Sequence, residues 1–336
     1  MNAFTLRDFD AGFANCRAGL PGASLGWLND YRESALAALK QQGLPGHKTE
    51  NWKYTSVRAL VTEAFAPAAL TPVVLPTPLA PHRAVLVNGC FNASQSHLDA
   101  LPVGVNVRGL ADLLAIQPQS LQGRLGRLAC LAEHPFAALN GAFVHDRLIH
   151  GIHVRCERDS RLRVLNFDLE GCLLRNDVVV ELDAPGADCQ LEGLYLVGEG
   201  AHVDNHIRID HHAPGCRSRT YYKGILGKGG HGVFNGKVIV HPTGQKTDAR
   251  QVNRNLLLSR DVEIDTKPEL EIYADDVKCS HGCTCGELEA EPLFYLRSRG
   301  IDLPQARALL AQAFAREISD RLAEGVVTGF TRTAAR

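Results

Sequence analysis

The sequence predicts a mainly β domain set between helical regions at either end. Three observations carry this: helical spacing of apolar residues before about residue 70 and again from 108 to 142, a long series of short strand-like runs from about residue 148, and a return to helical spacing after residue 290. The strand-like series has no long amphipathic helix within it, which argues against crossover-connected α/β architecture.

Residues 1–70 read as helical. In SLGWLNDYRESALAALKQQG, Leu25, Leu28, Tyr31, Leu36 and Leu39 recur near the helical period, and Gly43 stands where a C-terminal cap belongs. ALTPVVLPTPLAPH (69–82) holds four prolines and reads as an extended linker, so 71–147 forms a linker and mixed lead-in. AVLVNG (84–89) is strand-like, and RGLADLLAIQ and LQGRLGRLACLAEH bring back helical spacing. From 148 to 286, LIHGIHVRC, RLRVLNFDL, CLLRNDVVVELD, CQLEGLYLVG, HVDNHIRIDHH, RTYYKGILG, GVFNGKVIVH, VNRNLLLS and LEIYADDVKC follow one another. Each is bounded by Gly, Asp, Asn or Pro. So many short strands suit a sandwich, a barrel or a β-helix, and without a strict repeat the pattern leaves these three open. After 287, Pro292 suits the first turn of a short helix closed by Gly300. Asp302 with Gln305 reads as a capping box opening a second helix, whose stripe includes Ala306, Leu309, Leu310, Ala313, Phe314, Ile318 and Leu322.

Charge and composition exclude several function classes. Lys plus Arg number 36 and Asp plus Glu 37, so no overall field draws nucleic acid or an anionic membrane. The first 16 residues lack an apolar h-region, and no run approaches ~18 apolar residues; neither a signal peptide nor a spanning helix is expected. The ten cysteines are then expected in a reducing cytoplasm. Seven are scattered singly, at Cys16, Cys90, Cys130, Cys156, Cys172, Cys189 and Cys216, and read as core filler.

The exception is DVKCSHGCTCGELE (276–289). Cys279, His281, Cys283 and Cys285 are all odd-numbered, so on a strand continuing from LEIYADDV they share one face. At ~3.3 Å per residue the first and last lie about 20 Å apart, whereas zinc holds its sulfurs at ~2.3 Å. A straight strand therefore presents a row rather than a cage, unless Gly282 and Gly286 bend it. Three readings stand beside one another: small core residues, a self-contained zinc site that lacks paired C-x₂-C knuckles, and a half-site for soft-metal or sulfur chemistry completed by another chain. His202, His206, His211 and His212 form a second group, read as structural or surface histidines. No phosphate loop of the GxxxxGK[ST] type, no nucleophile elbow and no HExxH occurs, so an ATP-dependent process would need another protein to bind the nucleotide.

QVNRNLLLSRDVEIDTKPELEIYADDVKCSHGCTCGELEAEPLFYLRSRGI (251–301) closely resembles the signature region of the SufD family, scaffold subunits of SUF iron–sulfur cluster assembly. The resemblance runs upstream through HHAPGCRSRTYYKGIL and GVFNGKVIVH, and ENWKYTS (50–56) resembles an N-terminal family motif. It implies a right-handed parallel β-helix flanked by N- and C-terminal helices. It further implies a heterodimer with a SufB-like paralogue, a SufC-like ATPase docked on the C-terminal helices, and a transient iron–sulfur cluster at a shared interface. For the chain alone, a homodimer stays open beside the heterocomplex. His281, with Cys279 beside it, matches the residues implicated at the cluster site. Leu309, Leu310, Phe314 and Ile318 fall in the region implied to dock the ATPase. The chain departs from the family at Cys283 and Cys285, where Ala and Val are usual; these read as substitutions of similar size or as added ligands. Two other functions are kept beside the scaffold reading, a zinc-stabilised structural β-helix protein and a carbohydrate-active β-helix enzyme.

Overall fold

The structure is a computed structural model that describes residues 4–5, 9–46, 48–57, 64–65, 83–87, 90–98, 108–125, 131, 135–143, 151–168 and 173–320. The chain divides into two compact units, Met1–Ile149 and His150–Arg336.

In the first unit, β1 (Phe4–Thr5) pairs antiparallel with β2 (Ala64–Phe65), and β3 (Leu86–Val87) with β4 (Cys90–Phe91). The α-helices described in this unit are α1 (Phe9–Cys16), α2 (Gly26–Gln42), α3 (Leu110–Ile116) and α4 (Pro135–Ala142). Phe13, Ala35, Leu36 and Ala142 bring α1, α2 and α4 into one apolar cluster. Gly43 ends α2 at φ 69°, donating its N–H to the Leu39 carbonyl, as the sequence predicts. The helical expectation for 121–134 is corrected in part. Residues 121–125 form a turn, because Gly123 takes φ 70°, a conformation no helix interior holds. Residues 126–130 and 132–134, the 69–82 linker, and Leu322 lie outside the described residues.

The second unit answers the question the strand pattern left open. Ten strands follow: β5 (Gly151–Cys156), β6 (Arg161–Asp168), β7 (Leu173–Leu182), β8 (Asp188–Val197), β9 (His202–His211), β10 (Arg217–Leu226), β11 (His231–Val240), β12 (Asp248–Leu257), β13 (Glu263–Ile272) and β14 (Lys278–Glu287). They alternate between two five-stranded sheets, ordered β14-β12-β10-β8-β6 and β13-β11-β9-β7-β5. Each strand pairs in parallel with the one two places on, so the chain coils as a β-helix of about five turns. The coil length varies from 26 residues, with Gly151 opposite Asp177, to 32, with His231 opposite Glu263. That variation hides the repeat from a search for a strict period. Its traces are two Ala-Pro-Gly corners, at 184–186 and 213–215, where Gly186 (φ 78°) and Gly215 (φ 70°) supply the left-handed turn.

The lumen is built from alternate positions of both sheets. Val178, Val180, Leu182, Leu191, Val203, Ile207, Ile209, Phe234 and Val238 are all at most 6% exposed there. Cys156, Cys189 and Cys216 are buried in the same cluster, and Cys16 is buried in the first unit. Burial pushes the Cys189 thiol up to about 12, so it is a protonated apolar filler.

A buried histidine sets an acid limit on this lumen. His211 is fully buried, its Nε2 2.9 Å from Ser218 Oγ and its Nδ1 3.3 Å from Thr247 Oγ1. Burial lowers its pKa from 6.5 to about 4, with neighbouring Asp210 opposing the change. Between those values the unfolded chain holds a proton on His211 that the folded chain lacks. Stability is therefore full above pH 6.5 and falls as the pH drops, by roughly 1.4 kcal/mol per pH unit from this residue. Urea unfolding at pH 7.5, 5.5 and 4.5 should show this slope, and His211→Gln should flatten it; equal slopes in the two proteins would refute the assignment.

Helices α5 (Ala290–Ser298) and α6 (Leu303–Ser319) close the described chain. Asp302 caps α6, its Oδ1 accepting the Gln305 N–H at 2.8 Å, as the sequence predicts. Ala311, Ala315 and Ile318 bury α6 against Leu194, Leu196, Ile225 and Leu256 on the outer face of the even-numbered sheet.

Candidate functional site

β14 is a separate strand rather than a continuation of LEIYADDV. β13 stops at Ile272, residues 273–277 turn the corner, and β14 begins at Lys278 on the other sheet. The adjacent Asp275 and Asp276 thus belong to a corner. Within β14 the alternation holds for ten residues, every one paired in register with β12. Gly282 and Gly286 do not break the strand, so Cys279, His281, Cys283 and Cys285 form the expected row. Its ends lie about 20 Å apart at ~3.3 Å per residue, and one zinc ion cannot gather all four.

The register shows where the row points. Cys279 lies opposite Ala249, His281 opposite Gln251, Cys283 opposite Asn253 and Cys285 opposite Asn255. Those four β12 residues are 0–3% exposed and line the lumen. The row on β14 therefore continues the lumen's inward face at the last described coil, and among the described residues no sixth strand lies beyond β14 in its sheet. His281, Cys283 and Cys285 are exposed, whereas Cys279 is half-buried against the apolar core. Among the described residues β14 pairs with β12 alone, which leaves its outer edge of the kind another chain can pair with.

The row rests on polar ground. Asn255 donates from Nδ2 to Cys285 Sγ at 3.6 Å and to Asn253 Oδ1 at 2.6 Å, and accepts the Tyr195 hydroxyl proton at 2.5 Å. Asn253 donates to Tyr195 Oη at 3.2 Å. This network fixes the side chains under Cys285 and Cys283 in a fully buried layer. Below His281, Gln251 donates Nε2 to the Gly236 carbonyl at 3.0 Å, while its Oε1 has no partner among the described residues. Burial raises the Cys279 thiol pKa against an opposing backbone hydrogen bond at Ala249, and burial raises Cys285 against the bond from Asn255. Both are resting thiols that bind a soft metal only on losing a proton.

The C-terminal helices meet the same end of the β-helix. An open groove of about 310 Å³ is lined by Asn255, Thr284, Cys285, Glu289, Leu310 and Phe314, among others. It places two of the four docking positions read from the sequence beside the thiol row. Those four separate by exposure. Ile318 is fully buried on the chain's own sheet and Phe314 packs in the same cluster, so neither forms a free outward stripe in this conformation. Leu310 lines the groove, and Leu309 is 44% exposed. The sequence stripe did not single out Phe294, Tyr295 and Leu303, which are 74%, 56% and 40% exposed on these helices. Their signal was an aromatic pair in a short helix with no buried residue.

Residues 144–314 match the SufBD core domain of SUF system FeS cluster assembly, and residues 6–71 and 77–159 match the SufBD protein N-terminal region. Over 157 residues the chain is 40% identical to an iron–sulfur cluster assembly protein SufD of Escherichia coli K12, covering 47% of this chain and 37% of that protein. It is 38% identical over 188 residues to a SufBD family iron–sulfur cluster assembly protein of Mycobacterium leprae, covering 53% and 48% of the two chains. A SufBD family protein of Synechocystis is 39% identical over 165 residues, covering 49% and 36%. The matched segments thus span less than half the length of these relatives.

Proposed function

We propose, from the premise that this chain belongs to the SufBD family of iron–sulfur cluster assembly proteins, that it is a SufD-like scaffold subunit whose last described coil forms half of a cluster site. One observation carries the reading. A row of thiols and an imidazole stands in register on a buried polar layer at the end of the β-helix, and no further coil covers it among the described residues. Thiolate and imidazole are suitable ligands for iron in a sulfide-bound cluster. One straight row leaves coordination positions open, which a second chain would fill. His281 is the proposed ligand and Cys279 the supporting thiol, with Cys283 and Cys285 as added ligands or neutral substitutions. The cluster is cargo, built and passed on.

The partner in this reading is a SufB-like paralogue seated on the open end. A SufC-like ATPase would dock on α5 and α6 through Leu309, Phe294, Tyr295 and Leu303. The chain itself would be a non-catalytic scaffold working in the cytoplasm and able to form a homodimer when alone. No described helix is long and apolar enough to cross a membrane.

The test is co-expression with SufB- and SufC-like partners, comparing wild type with His281→Ala and with Cys283→Ala/Cys285→Val. His281→Ala should leave the complex intact and lower recovered acid-labile sulfide, with the iron bound to it, by about tenfold, the scale on which losing a metal-site contact acts. Unchanged cluster content would place the site elsewhere. Full cluster content in the double variant would make Cys283 and Cys285 substitutions of size alone.

A further inference from the structure

The outer face of the odd-numbered sheet carries a second concentration of ligating groups, away from β14. Asp210 is near the end of β9, His212 follows in the corner, and His241 occupies the equivalent corner one coil later. Backbone bonds fix this column: Asp183 donates its N–H to the Cys156 carbonyl, His212 to Leu182, and His241 to His211. The His212 and His241 imidazoles stack with centroids 4.0 Å apart and 20° between planes. His241 Nε2 is 3.1 Å from Asp210 Oδ1, and His212 Nε2 is 4.0 Å from Asp183 Oδ1. One ligand atom from each of Asp210, His212 and His241 lies within 4.8 Å of the other two.

We propose that Asp210, His212 and His241 bind a first-row divalent transition-metal ion, with Fe(II) as the biological occupant and Asp183 within reach as a further ligand. Two imidazoles and one carboxylate, with other positions open, suit ferrous iron. Metal–nitrogen bonds of ~2.1 Å require the three donors to draw inward. The two rings are 39% and 32% exposed and have room to turn. Asp210 is prepared for the role by Arg208, which donates Nε to Oδ2 at 2.7 Å and Nη2 to Oδ1 at 3.0 Å. A metal taking Oδ1 would leave the bond to Oδ2 in place, holding the carboxylate in orientation as outer-shell partners do.

A second group, His231, Glu263 and Asp265, also gathers ligand atoms within 4.8 Å. It offers one nitrogen and an exposed glutamate, a harder set that favours iron less. The Asp210 site stands on its own geometry, and only the choice of iron over zinc as occupant rests on the proposed function.

The test uses the full chain, stripped by chelator and dialysed anaerobically against Fe(II) and, separately, Zn(II). Wild type should retain one ion at this site. His212→Ala and His241→Gln should each weaken retention by more than about tenfold, whereas His281→Ala and His231→Ala leave it unchanged. X-ray absorption on the Fe(II)-loaded wild type needs no variant, and should show a nitrogen and oxygen shell with imidazole scattering from two rings. Sulfur in that shell, retention that survives both histidine variants, or no retention by wild type would overturn the proposal. Loss of retention in His281→Ala would instead move the ion to β14. Zn(II) held without Fe(II) would leave a metal site and remove its iron role.

Discussion

Gly193→Ala should destabilise the β-helix by about 3 kcal/mol, the upper end of the usual cost of overpacking a filled core. Gly193 stands on the lumen face of β8, in register between Asn166 and Tyr222. A methyl group there would sit 2.2 Å from Tyr222 Cε1, 2.4 Å from Cδ1 and 2.7 Å from Cζ. Tyr222 is 1% exposed, and its ring lies 5.5 Å from that of Phe234, so it has nowhere to retreat. Urea unfolding followed by far-UV circular dichroism should show the loss. Tyr222→Leu in the Gly193→Ala background should recover part of it, because the two side chains contend for one space and their effects are not additive. Gly282 on β14 is the control: nothing lies within 4 Å of its added methyl. Gly282→Ala should stay within about 0.5 kcal/mol of wild type. Equal effects at the two glycines would show that the lumen is not packed as described.

The same lumen explains why the strands were legible from the local pattern while their arrangement as a β-helix came only from the family resemblance. Runs such as CQLEGLYLVG announce extended chain, yet their inward positions include Gly193 and Tyr195, and on other coils Gln251, Asn253 and Asn255. A core that mixes glycine, amide and aromatic side chains does not yield a clean alternation. Coils of 26 to 32 residues then spoil the period. The available signals were the Ala-Pro-Gly corners and the Gly-Xaa-Gly corners at 198–200 and 227–229. At the candidate site, the shared face of Cys279, His281, Cys283 and Cys285 followed from parity alone. That β14 is the last described coil, so that its inward row is exposed while Asn253 below it is buried, depends on how strands stack. No local pattern encodes that. The stripe on α6 shows the same limit, since Ile318 and Leu309 look alike in sequence and only one faces the sheet. His212 and His241 meet for a reason visible only once 29 residues of chain have made a full coil.

The hold on α6 yields an asymmetric pair of effects. Lys223, on the outer face of β10, is 2% exposed, and its Nζ donates to the Phe314 carbonyl at 2.6 Å and to Glu317 Oε2 at 2.7 Å. It also lies 4.0 Å from the Phe314 ring centroid. A buried ammonium is tolerable only when its donors are met, and here α6 meets them. Glu317 is the more exposed partner, with its side chain 49% accessible, so intuition would make it the dispensable one. The costs run the other way. Lys223→Met removes the charge, keeps the apolar stem and lets Glu317 rehydrate, for a loss of about 1.5 kcal/mol. Glu317→Ala leaves the ammonium buried with a carbonyl and a ring, and should cost about 3 kcal/mol, at the low end for orphaning a buried charge because the lost carboxylate was itself half-solvated. Either change loosens α6 and uncovers Leu194, Leu196, Ile225 and Leu256. Hydrogen exchange should quicken across 303–319 more in Glu317→Ala than in Lys223→Met, while the lumen strands keep their protection. The opposite order would mean that the packing of Ala311, Ala315 and Ile318, rather than this ion pair, decides how firmly α6 is held.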